Sequence, residues 1–132
     1  MMVMTTLGLL ITALLFGGTI LYSFGFAAFV FSALPPEIAG KTLRRAFPHF
    51  YLFVMITASV AAAALWQHDT LSATLLAVTA LTTVPTRQFL MPAINLATDT
   101  GAKTRFKVLH VLSVVVTLAH ITMAGVVLAR FA

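Results

Sequence analysis

From Val3 to Leu34 the chain carries no charged side chain. An α-helix needs about 20 apolar residues to cross the hydrocarbon core of a bilayer, where every backbone polar group must be satisfied within the segment. This run exceeds that length, so its solvent is lipid. Further apolar segments follow at about Pro48–Trp66, Leu71–Leu90 and Phe106–Ala129. Four spans use nearly all of the 132 residues and leave no stretch for a soluble catalytic domain.

Charge supports the same reading. Only 8% of the residues are charged, against about 25% in an ordinary soluble domain. Cysteine is absent, which excludes disulfides, thiolate catalysis and cysteine-ligated metals. The net charge of +5 does not point to nucleic acid, because the basic residues flank spans. There they orient the protein and meet anionic head groups, so membrane lipids are the partners expected. The N-terminal run lacks a basic leader and is too long for a signal peptide's apolar core. Ala27, Ala28 and Ala33 supply no clear cleavage context, and an uncleaved first span is expected.

The expected fold is all-α: one integral membrane domain over residues 1–132, an antiparallel up-down four-helix bundle with spans at about 5–34, 48–66, 71–90 and 106–130. Gly17 and Gly18 mark a bend point or a close helix approach in span 1. Pro35-Pro36 ends that span. Proline followed by Glu37 then starts a short interfacial helix, Glu37–Phe47, with Lys41, Arg44 and Arg45 on one side and Ile38, Leu43 and Phe47 on another. Span 2 has a centre of small residues through Ala64, and the Gln67–Thr70 connection makes a tight hairpin with Asp69 or Thr70 as cap. Pro85 should kink span 3 and Pro92 should end or bend it, leaving Ala93–Lys103 as a polar loop.

Seven of the eight Lys and Arg residues lie in alternate connections: Lys41, Arg44 and Arg45 in the first, Arg87, Lys103, Arg105 and Lys107 around the third. Only Arg130 lies elsewhere. The positive-inside rule places those connections in the cytoplasm and both termini in the periplasm of a bacterial inner membrane.

Seven side chains then share the cytoplasmic face: His49, Tyr51, Arg87, Asn95, Asp99, His110 and Ser113. Together they suit an anion, a polar head group or a metal, with Arg87 turned inward towards Asn95, Asp99 or His110. The structural alternative is that the histidines anchor helix ends and Arg87 snorkels to phosphates. His120 lies near the middle of span 4, where an ionisable group is a functional candidate by default. A neutral imidazole bonded to a threonine or carbonyl is the competing reading. No cofactor is expected. His110 and His120 are ten residues apart on one helix, about 15 Å, and cannot ligate one haem iron together; only His49 with His110, from two helices, could in principle. No acidic residue lies within a span to support a nucleophile or a proton relay.

The order of motifs is familiar. Phe31-Ser32-Ala33-Leu34-Pro35, Ala39-Gly40 and Phe47-Pro48-His49-Phe50-Tyr51 are followed by Arg87, Pro92, Asn95 and Phe106-Lys107-Val108-Leu109-His110-Val111-Leu112-Ser113. This succession resembles the transmembrane protein 205-like family, the domain of unknown function number 4149. The resemblance implies a four-helix integral membrane protein. Eukaryotic relatives are linked to resistance to platinum drugs, with no molecular activity implied. Val111, Met91 and Thr117 stand where the family often has glycine, an acidic residue and asparagine.

The function expected is therefore non-enzymatic: an accessory membrane protein, or one that binds a small molecule or lipid. The alternative is a small transporter or exporter subunit acting as a homo-oligomer or within a larger membrane complex. A haem protein or membrane enzyme comes third.

Overall fold

The computed structural model describes residues 2–132. Four helical rods account for almost all of them. The first runs from Met2 to Ala33: α1 (Met2–Ile20), a π-helical segment (Leu21–Phe26) and α2 (Ala27–Ala33). The second is α3 (Pro36–Leu65). The third comprises α4 (Thr70–Pro85), a second π-helical segment (Thr86–Leu90) and α5 (Met91–Asp99). The fourth is α6 (Lys103–Arg130). The first, second and fourth rods are long and apolar enough to cross a membrane, with mean hydropathy of 1.9, 1.6 and 2.3 over their best windows. The third is of similar length and, like the first, is divided by a π segment.

Local chemistry sets the joints. Leu34 and Pro35 are extended, as the residue before a proline prefers, and Pro36 occupies the first helical turn with Glu37 beside it. α3 then runs through Pro48 without a break. The basic amphipathic segment expected after span 1 is thus the exposed first part of the same rod that forms span 2. Thr70 opens α4, with Asp69 extended at the cap position. The second and third rods form the tight hairpin expected.

The polar stretch expected as a loop, Ala93–Lys103, is mostly helix. Asn95 and Asp99 lie in α5, and Thr98 donates to the Ile94 carbonyl one turn back. Only residues 100–102 turn. Gly101 adopts φ +69°, Ala102 N–H donates to Ala97 O at 2.9 Å and Gly101 N–H to Thr98 O at 3.3 Å. This is a glycine-terminated helix end of the Schellman type. Polarity alone signalled a loop there; the breaker that ends the helix is Gly101.

The rods form a ring. The first packs on α3 and α6, and the third packs on the same two. Opposite ends are tied by different ion pairs. Arg44 meets Asp99 at 2.9 Å, joining the first and third connections; Arg130 meets Asp69 at 2.8 Å, joining the C-terminus to the second connection. The up-down order is therefore fixed at both ends. These will be called the basic end and the clasp end.

Most of the core lies towards the clasp end, where Leu15, Ala58, Ala61, Leu65, Ala73, Leu76, Ala124 and Val127 are buried. Small residues set the spacing there. A Cβ on Gly8 would lie 2.7 Å from the Leu65 side chain, and one on Gly125 3.3 Å from the Phe16 ring. A Cβ on Gly18 would lie 2.8 Å from the Phe53 ring, as at a close-approach glycine. Gly17 faces open space, and Ala63 is exposed while Ala61, Ala62 and Ala64 are buried. The irregularity in the first rod begins at Leu21, not at the glycine pair. Towards the basic end the buried set thins to a satellite of Val30, Ala39 and Leu43, with Ala97 on α5.

Candidate functional site

The two π segments flank the same stretch of α3. In the first, Tyr22 stacks on Phe50 with ring centres 4.7 Å apart and meets Phe47 edge-on at 5.5 Å. In the second, Arg87 Nε donates to the Pro48 carbonyl at 3.1 Å. Pro48 itself lacks the N–H that would close the helix turn to Arg44. Three of the four rods are thus irregular at one level. π turns recur at functional sites because they re-aim side chains and loosen the backbone ladder.

Hydroxyl groups respond to that level. In the core, Thr12, Thr57, Thr79, Thr83 and Thr86 each donate to a carbonyl four residues back in their own helix. Thr19 and Ser23, beside and within the first π segment, are the exceptions. Their buried oxygens have no partner among the described residues.

On its outer side the same level carries a groove of about 700 Å³ between the first rod and α3. Leu14, Gly18, Leu21, Gly25 and Phe29 line one wall; His49, Phe50 and Phe53 line the other. Gly18 and Gly25 widen it by omitting side chains. His49, the α3 lining residue nearest the basic connections, is exposed and is its imidazole donor; it stands level with about Tyr22 on the first rod.

The seven residues expected at one face are spread over separate neighbourhoods. Tyr51 is buried beside Phe47 and Phe50. Arg87 turns to α3, and its other guanidinium contact is Gln88 on its own segment at 2.9 Å. It does not reach Asn95, Asp99 or His110. Because α5 continues as helix, Asp99 lies twelve residues further on, about 18 Å along the axis. Arg44, facing Asp99 from α3, takes it in a two-pronged pair at 2.9 and 3.3 Å and reaches the Asn95 carbonyl at 3.4 Å. His110 is exposed and stacked on Phe106, and Ser113 donates to the His110 carbonyl. No hydrogen bond joins His49 to His110, which belong to opposite rods of the ring.

His120 is buried, with Nε2 2.7 Å from Thr82 Oγ1. The Thr82 hydroxyl has one proton, and Val78 O accepts it at 2.7 Å. The imidazole is therefore assigned as the Nε2–H tautomer, donating to Thr82. At the clasp end, Asp69 accepts from Arg130 Nε and Nη2 and from Ser72 Oγ. Those hydrogen bonds, Arg130 first, hold its carboxyl well below the usual carboxylate range. Among the described residues no three His, Asp or Glu side chains converge as a metal site needs.

The groove and the clasp were missed in the sequence. The clasp had a signal: Asp69 and Arg130 are the only acid and the only Lys or Arg at that end. The groove had none beyond Gly25, since it depends on how two rods meet.

With this geometry in place, comparison with known proteins adds a family. Residues 10–103 match the family model described as Domain of unknown function (DUF4149). The chain belongs to that family. The match covers the first rod from residue 10 and all of the second and third, with the groove, both π segments and the Arg44–Asp99 pair. No curated protein and no solved structure matches the chain.

Proposed function

We propose that this DUF4149 protein is a non-enzymatic membrane protein that holds an amphiphile in the half of the bilayer nearest its basic end. The observation that carries the reading is the groove between the first rod and α3. It is apolar along its length and carries one exposed imidazole on its α3 wall, an arrangement suited to a hydrocarbon chain with a polar head. By the positive-inside rule, that half is the cytoplasmic leaflet of a bacterial inner membrane and both termini are periplasmic. The motif order in both halves of the chain favours kinship with the transmembrane protein 205-like members of the family.

The site residues sort accordingly. His49 contacts the amphiphile, while Tyr51 shapes the aromatic wall behind Phe50. Arg87, Asn95 and Asp99 hold the second and third rods in register. His110 and Ser113 lie on α6, away from the groove. The test is native mass spectrometry of protein extracted in mild detergent. A retained lipid-sized adduct is expected, and Gly25→Leu, which fills the groove, should remove it at unchanged helicity. Equal retention by Gly25→Leu would rule the groove out as the site.

A second reading, an exporter subunit acting as an oligomer, draws on a different observation: three irregular rods and two unpartnered hydroxyls at one depth. Substrate-dependent efflux lost on deletion and restored by wild type, but not by a Thr19→Val, Ser23→Ala double variant, would favour it over the amphiphile site.

A further inference from the structure

We infer that the occupant of the groove is an anionic phospholipid, its phosphate held by Arg45 above His49. The inference rests on the groove reading above and names the head group that reading leaves open. Lys41, Arg45, His49 and Phe53 recur every fourth residue along α3. Residues at that spacing are neighbours on one face of a helix. Phe53 and His49 line the groove, so Arg45 lies one turn from His49 towards the basic end and Lys41 two turns. Long basic side chains near helix ends reach towards the interface, and helical side chains lean towards the helix N-terminus, which here is the basic end.

The charge inventory singles out Arg45 on this face. All three acidic residues are already paired: Glu37 with Lys41, Asp99 with Arg44 and Asp69 with Arg130. Arg45 is exposed, with no ion pair or hydrogen bond to another described residue. An uncompensated guanidinium one turn above an imidazole donor is complementary to a phosphodiester. The apolar part matches in length. Gly18 faces Phe53 and Tyr22 faces Phe50, so Arg45 stands level with about Phe26 on the first rod. From there the groove's wall runs to Leu14, about 18 Å at 1.5 Å per residue. One leaflet contributes about 15 Å of hydrocarbon, so that stretch is long enough for one acyl chain.

The test titrates the detergent-purified full chain with dioleoylphosphatidylglycerol and dioleoylphosphatidylcholine, which differ only in head group, and reads retention by native mass spectrometry. Retention of the anionic lipid should exceed that of the zwitterionic one about fivefold, the factor for one cation at an anionic surface. Arg45→Gln should remove the preference, while Arg105→Gln, at the same end but off the groove, should keep it. His49→Gln reports on the same preference should Arg45→Gln fail to fold. Equal retention of both lipids, each lost in Gly25→Leu, would overturn the head-group assignment and leave the groove reading standing. Equal losses in Arg45→Gln and Arg105→Gln would also overturn it, showing diffuse surface charge. Retention of neither lipid would end both.

Discussion

Gly17 and Gly18 are adjacent, yet they meet different surroundings, and the difference is measurable. A Cβ at Gly18 enters the Phe53 ring; one at Gly17 meets nothing within 4 Å. Gly18→Leu should therefore cost about 1–3 kcal/mol through overpacking and lower the melting midpoint in detergent. Gly17→Ala should raise stability by about 0.5–1 kcal/mol, because glycine in a helix interior is the weaker helix former. Thermal melts of the two variants side by side check both signs. At the clasp end, Asp69 is held ionised by Arg130 and Ser72. Its carboxyl pKa is lowered on folding, so its contribution is present above about pH 4, the range in which an unfolded aspartate ionises, and is lost as pH falls below that. Melts taken across that range should show wild type losing stability relative to Asp69→Asn. The pair is partly exposed, so added salt should shrink the gap.

The elements show what pattern reading can and cannot reach. Hydropathy located the apolar rods, and Pro35-Pro36 located the first joint, because those signals are local. Pro48 reads as the start of a span, but a helix tolerates an internal proline when its neighbours hold it, and α3 is packed on both sides. Polarity suggests a loop at Ala93–Lys103, whereas its polar residues are used: Asp99 by Arg44, Thr98 by its own helix. The π segments have no local signature, since an extra residue in a turn is decided by contacts on either side. His49 is legible in sequence as a site residue and lines the groove, but Phe53 and Gly25 are not, because the groove exists only between two rods. The Arg44–Asp99 pair gives a check at this scale. It is half exposed, so a double-mutant cycle on Arg44→Ala and Asp99→Ala should return a coupling of no more than about 1 kcal/mol. A much larger value would mean the pair is buried in the membrane-embedded protein.

For the whole molecule, core residues concentrate at the clasp end, while the groove, the irregular turns and the cations Arg45, Arg87, Lys103, Arg105 and Lys107, left over once the acids are paired, lie towards the other. A firm end and a thinly packed, charged end suit a protein that binds something at one membrane face. That face is expected to be cytoplasmic: cysteines introduced at Gln67 should react with an impermeant thiol reagent added outside cells, and those at Thr100 should not. The chain has no native cysteine, so the label is unambiguous. The amphiphile site itself is tested most directly by photo-cross-linking in membranes with a phospholipid that carries a diazirine in its acyl chain. Adducts mapped by peptide mass should fall on Leu21–Phe29 and His49–Phe53. Adducts spread evenly over the exposed apolar faces, or gathered on Leu109–Val116 of α6, would contradict a binding groove between the first rod and α3.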